Sequence, residues 1–238
     1  MKEVHVQMYF WNPMYFVFAL PALILALYAQ WKVSSTYKRM SREPNMIRMT
    51  GAEAARRLLD GNNLRMIGLD GTPGELSDHY DPSAKVLRLS QGVAGSASVA
   101  ALGIVAHEVG HAVQDATGYS MMRVRSTLVR PAQLGSTLGV WLFIIGFAVQ
   151  MTSLAWLGLA LFIAAFVFTI VTLPVELDAS KRAMAMLSGS RLIATTEYGM
   201  AKSVLDAAAL TYVAAAAQAL SQVLYYGYML LGAGRRND

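Results

Sequence analysis

Forty-five consecutive residues, Pro131 to Val175, carry no charged side chain. A helix needs only about 20 apolar residues to cross a bilayer, so this run is too long for one span and fits two. The spans fall near residues 134–151 and 155–174, joined by a tight turn around Gln150-Met151-Thr152-Ser153. A helical hairpin returns its ends to one face, so the chain before Pro131 and the chain after Val175 share a side of the membrane. Only 15% of the 238 residues are charged and 55% are hydrophobic. Soluble domains carry roughly a quarter of their residues as charges, which excludes a soluble globular protein.

Two further spans complete the plan. Pro13 to Trp31 is apolar, bounded by Tyr, Phe and Trp as membrane interfaces are, and followed by Lys32, Lys38, Arg39 and Arg42. With its charge behind the apolar stretch and no A-x-A cleavage pattern, it reads as an uncleaved anchor whose N-terminus lies outside. Ala207 to Gly232 is alanine-rich and carries Thr211, Gln218, Ser221 and Gln222. Small and hydroxyl residues suit a helix packed within a bundle. Seventeen of the twenty Lys and Arg lie within residues 32–130 and 176–206, while Lys2, Arg235 and Arg236 fall on the other face. The positive-inside rule places both large segments in the cytoplasm.

The chain then divides into an anchor (1–33), a cytoplasmic segment (34–130), the hairpin (131–175), a second cytoplasmic segment (176–206) and a final span with its tail (207–238). The expected fold is a mainly α membrane protein with about four transmembrane helices and a cytoplasmic unit built from an active-site helix and a small β-hairpin. The net charge of +5 is explained by residues flanking the spans. No basic run is interleaved with stacking aromatics, so nucleic acid is not an expected partner.

Within the first cytoplasmic segment, Thr50-Gly51-Ala52-Glu53 is a capping-box pattern ahead of Ala54, Ala55, Leu58 and Leu59 at helical spacing. Leu64 to Gly71 alternates. The turn residues Asp81-Pro82-Ser83 separate Glu75–Tyr80 from Lys85–Ser90, which predicts a β-hairpin whose edge near Val86–Ser90 would align an extended peptide. From Ser96 to Thr117 the chain reads as one helix, capped by Ser96 or Ser98 and closed by Gly118.

That helix carries His107-Glu108-Val109-Gly110-His111. Positions i and i+4 project from one helix face, so both imidazoles reach a single metal ion while Glu108 stands beside it as a proton acceptor for water. Burying three such groups without a partner would cost kilocalories each, which argues against a mere packing role. Zinc takes a third protein ligand and keeps a position open in catalytic sites. No His follows His111 and the chain has no Cys, so the ligand is a carboxylate and no disulfide framework exists. Glu176, the first charge after the hairpin, is favoured; Asp178, Asp115 and Glu197 are the other candidates. Asp178 sits two residues from Glu176 and is better suited to orienting a ligating His.

The strings Leu76-Ser77-Asp78-His79-Tyr80-Asp81-Pro82, Val105 to Gln114, Leu173 to Ser180 and Lys202 to Tyr212 together resemble the YugP-type bacterial membrane zinc metallopeptidases. The resemblance covers nearly the whole chain. It implies a multi-pass protein of the bacterial inner membrane that cleaves protein or peptide substrates at a cytoplasmic zinc site. Such proteins are similar to larger gluzincin membrane proteases, whose third zinc ligand is the Glu of an E-x-x-A-D pattern. Carried over, Glu176 takes that place and Ala179 matches, while Ser180 stands where the pattern has Asp, so Ser180 or Asp178 would support a ligand.

In that reading Zn2+ is held by His107, His111 and Glu176, and Glu108 is the general base. His79 ranks first among His79, Tyr80, Tyr198 and Arg182 as the donor to the developing oxyanion. The rival class is a catalytically inactive zinc-binding membrane scaffold or adaptor, which would close all four metal positions with protein ligands. A small transporter would want charged or broken helices at mid-membrane, and the hairpin has no charge there.

Overall fold

The computed structural model describes residues 13–234. Lys2, Arg235 and Arg236, the charges assigned to the opposite membrane face, lie outside the described residues. The fold is mainly helical with a small sheet: α1 (Pro13–Met40), α2 (Gly51–Gly61), β1 (Gly68–Thr72), β2 (His79–Asp81), β3 (Val86–Ser90), α3 (Gln91–Ala94), α4 (Val99–Ala116), α5 (Ser120–Ala148), α6 (Thr152–Gly189) and α7 (Thr195–Gly234). Among the described residues, four helices are long and apolar enough to cross a membrane: α1, α5, α6 and α7.

All four run past their apolar cores. α5 begins at Ser120, eleven residues before Pro131, and α6 continues fifteen residues beyond Pro174. Both prolines sit inside helices, so neither marks a helix start as a sequence boundary would suggest. The turn between α5 and α6 falls at Val149–Met151, where Gln150 adopts φ 59° and Val149 N–H caps the Ile145 carbonyl at 2.9 Å.

The described residues form two compact units, one of residues 13–28, 124–172 and 211–234 and the other of residues 29–123 and 173–210. In the first, α5 and α6 meet through glycine. A Cβ on Gly158 would lie 2.6 Å from the Phe143 backbone nitrogen and 2.8 Å from the Gly139 carbonyl oxygen, so only glycine permits this approach. Phe143, Ala155, Leu159, Phe162 and Leu230 form a buried cluster in it, and Tyr226 stacks against Phe162. Ser221 Oγ donates to the Phe18 carbonyl at 2.6 Å, tying α7 to α1 within this unit.

The second unit holds the principal core. α2 opens with the expected capping box: Thr50 Oγ1 accepts from Glu53 N, and a Glu53 carboxylate oxygen accepts from Thr50 N at 2.8 Å. It buries Ala54, Ala55, Leu58 and Leu59 against Leu102, Val105, Ala106 and Val109 of α4. β2 and β3 form the antiparallel pair expected across the Asp81-Pro82-Ser83 turn, where Asp81 Oδ1 accepts from Ser83 N and Ala84 N.

The strand order β1-β3-β2 corrects one expectation. β3 is paired on both sides, parallel to β1 and antiparallel to β2, so Val86–Ser90 offers no free edge to a peptide. Leu87, Leu89 and Ser90 are buried, which explains why the most apolar strand takes the middle. The sheet edges are β1 and β2.

Candidate metal centre

α4 is capped by Ser98, whose hydroxyl accepts from Ala101 N at 3.2 Å, and ends before Gly118, which supplies the left-handed φ of 65° beyond its C-terminus. Its face toward α6 carries His107 and His111 one turn apart, their rings 4.8 Å between centroids and 85° between planes. α6 brings in Glu176, 1% exposed. His107 Nε2 and His111 Nε2 lie 3.2 and 3.4 Å from the same Glu176 carboxylate oxygen.

Gly110 makes that proximity possible. A Cβ there would lie 2.6 Å from the Ala179 carbonyl oxygen, so the α4 and α6 backbones touch one helical turn from Glu176.

The other imidazole nitrogens are engaged away from this point. His107 Nδ1 lies 3.1 Å from Ser180 Oγ, and His111 Nδ1 lies 3.0 Å from Gln114 Oε1. Gln114 is fully buried, and its Nε2 donates to the Val175 carbonyl and to Asp178 Oδ2, both at 2.8 Å. Arg182 Nε donates to the same Asp178 oxygen at 2.6 Å. Asp178 thus reaches His111 through Gln114, while Ser180 touches His107 directly.

Glu108, beside the two imidazoles on α4, is 9% exposed and accepts from the Tyr80 backbone N–H at 3.0 Å. Burial pushes its carboxyl up from the ordinary range, more than the neighbouring His107 and His111 charges pull it down. Burial also opposes the charge on His111, but the Glu176 hydrogen bond and the nearby Glu108 and Glu176 carboxylates outweigh it, and the imidazole is pushed up. Tyr80 closes a second link between β2 and α4, its hydroxyl donating to Asp115 Oδ2 at 2.7 Å; Lys85 pairs with the same oxygen.

The remaining candidates from the sequence stand elsewhere. Asp115 is committed to Tyr80 and Lys85, and Glu197 accepts from the Met46 and Ala194 backbone N–H groups at 2.7 and 2.8 Å. Neither belongs to the three-donor group of His107, His111 and Glu176, whose atoms lie within 4.8 Å of one another. His79 is exposed, with Nδ1 2.8 Å from the Ser77 carbonyl. That carbonyl only accepts, so Nδ1 carries a proton, and Nε2 donates only in the imidazolium form. Gln114 does not stand out in the sequence. The signal available is its place three residues after His111 on the same helix.

The donor set suits zinc. Bonds of about 2.0–2.1 Å set tetrahedral ligand atoms about 3.3 Å apart, and the two nitrogen-to-oxygen separations of 3.2 and 3.4 Å bracket that value. Two imidazole nitrogens and one carboxylate oxygen, without sulfur, match the ligand types of catalytic zinc sites.

A family described as "Putative neutral zinc metallopeptidase" matches residues 15–231. The "Putative membrane protease YugP" of Bacillus subtilis (strain 168) is 38% identical over 225 residues, covering 94% of this chain and all of that protein. No solved structure matches the chain. With its fold, its three-donor cluster and a match over most of its length, the chain belongs to this zinc metallopeptidase family.

Proposed function

We propose that the protein is an integral membrane zinc metalloendopeptidase that hydrolyses peptide bonds on the cytoplasmic side of a bacterial inner membrane. The observation that carries the reading is the convergence of His107 Nε2 and His111 Nε2 on one Glu176 oxygen with Glu108 alongside. His107, His111 and Glu176 would hold the ion; three donors, the group found among the described residues, would leave a fourth position for water or substrate, which favours a catalytic over a closed structural site. When bound, zinc would supply Lewis acidity, lowering the pKa of water and polarising the scissile carbonyl.

The chain's own groups supply the rest. Glu108 takes the proton of the attacking water on its carboxylate and later delivers it to the departing amine. Its raised proton affinity suits that exchange. The Tyr80 N–H steers the Glu108 carboxylate by holding one oxygen. His79, on the same strand, serves as the proposed oxyanion donor. β2 replaces Val86–Ser90 as the strand along which an extended substrate would lie. The mainly α fold, the four apolar helices and the excess of Lys and Arg in residues 32–130 and 176–206 support a multi-pass protein with this unit in the cytoplasm.

The test uses detergent-purified protein and an unfolded fluorogenic polypeptide. Wild type is expected to cleave it, to lose activity with a zinc chelator and to regain it with zinc. Glu108→Gln is expected to bind zinc normally and not to cleave. Unchanged turnover by Glu108→Gln would remove the general-base assignment.

A further inference from the structure

Gln114 is the one fully buried polar side chain, among the described residues, that joins a candidate ligand to the supporting helix, and its amide can be oriented without ambiguity. The nitrogen contacts two groups that only accept: the Val175 carbonyl and Asp178 Oδ2, each at 2.8 Å. Flipping the amide would set its oxygen against both, with no hydrogen among three oxygens. Arg182 donates to the same Asp178 oxygen at 2.6 Å and keeps that carboxylate an acceptor. Nε2 is therefore fixed toward α6, and Oε1 faces His111 Nδ1 at 3.0 Å. An oxygen there accepts only if Nδ1 carries a hydrogen. In the neutral ring the lone pair then lies on Nε2, the atom 3.4 Å from Glu176.

We infer that Gln114 is a positioning residue that selects the His111 tautomer able to bind a metal, its own orientation set by Val175, Asp178 and Arg182. The inference rests on the zinc site proposed above. Gln114 is 0% exposed and His111 6%, so the contact between Nδ1 and Oε1 is buried. The link joins ring, amide, carboxylate and guanidinium across α4 and α6, and Arg182 lies over the Tyr119 ring at 5.7 Å. His107 lacks such a polarity selector: its partner is the Ser180 hydroxyl, which both donates and accepts.

The chain has only four histidines, so selective 15N-histidine labelling gives a readable spectrum in micelles. Gln114→Met keeps side-chain length and removes both polar atoms. Zinc affinity by chelator competition is expected to fall roughly 10–100-fold, the scale for losing a partner behind a metal ligand. The His111 resonances of the metal-free protein at high pH, where the neutral ring is free to choose its tautomer, are expected to lose the pattern of a protonated Nδ1. Gln114→Glu, kept protonated by its burial beside Asp178 so that an O–H replaces the amide N–H toward α6 while an oxygen stays beside Nδ1, is expected to retain that pattern, and it stands in for the Met variant should that one fail to fold.

If wild type binds zinc and Gln114→Met binds within twofold of it, the inference is overturned while the metal site survives. It is equally overturned if affinity falls but Nδ1 of the metal-free protein stays protonated at high pH, since Gln114 would then act only in packing, or if metal-free Gln114→Glu loses the Nδ1 proton. Wild-type protein that binds no zinc would instead overturn the proposed site itself.

Discussion

Gly110→Ala tests how the candidate ligands are brought together. The added Cβ would lie 2.6 Å from the Ala179 carbonyl oxygen and 3.3 Å from its C and Cα atoms, where ordinary contact begins at 3.4 Å. The obstacle is backbone at the buried Ala179 position of α6, so no side chain can swing aside. Relief along the contact from 2.6 to 3.4 Å opens α4 from α6 by about 0.8 Å. Metal–ligand distances tolerate only about 0.2 Å, and Ala179 lies one turn beyond Glu176, so the carboxylate is carried away from both imidazoles. A loss of roughly 10–100-fold in zinc affinity, about 1.4–2.7 kcal/mol, is the expected scale.

Overpacking costs a further 1–3 kcal/mol of stability, roughly, against a helix-propensity gain from Gly to Ala of about 1 kcal/mol. The net effect is destabilising. Gly199→Ala is the control: Gly199 is helical and exposed, and a Cβ there meets nothing within 4 Å, so the propensity gain stands alone. The assay is chelator-competition zinc affinity together with thermal unfolding of the metal-free protein in detergent. Wild-type affinity and a midpoint no lower than that of Gly199→Ala would refute the argument that this contact sets the Glu176 position.

Three more outcomes follow from the site. Glu176→Gln is expected to reduce bound zinc per chain severalfold, while Asp115→Asn and Glu197→Gln leave it unchanged, read by elemental analysis of purified protein; the reverse pattern would reassign the third ligand. Zinc binding is expected to release protons near neutral pH, because the proton affinity of His111 is raised and the ion displaces the proton on Nε2. Titration calorimetry in buffers of different ionisation enthalpy reads this directly, and a buffer-independent heat would contradict it. By the same sign, apparent zinc affinity is expected to weaken as pH falls through the raised His111 value, and affinity that stays flat or rises on acidification would contradict that.

Local chemistry made much of this legible. Thr50 and Glu53 announced a capping box because both bonds close within four residues, and Asp81-Pro82 announced the β2–β3 turn for the same reason. The two histidines one helical turn apart needed only α4 to form. What stayed hidden depends on distance in sequence. Gly68–Thr72 pairs parallel to β3, a partnership no turn encodes, and its Gly-Leu-Asp-Gly-Thr composition is weakly strand-like. That pairing moved β3 from edge to centre and shifted the expected substrate strand to β2.

The charged ends of α5 and α6 read as segment boundaries in the sequence, yet charge does not stop a helix, and both continue. Gln114 looks like any polar residue on a helix. Its role follows from Val175 and Asp178, more than sixty residues away, and from the closeness that Gly110 allows.

Anomalous diffraction at the zinc edge from crystals of the Glu108→Gln protein tests the central claim most directly. The account predicts one peak within bonding distance of His107 Nε2, His111 Nε2 and the Glu176 carboxylate, with the fourth position held by a non-protein ligand facing residue 108. A peak ligated by Asp115, Asp178 or Glu197, or a site closed by a fourth side chain, would contradict it.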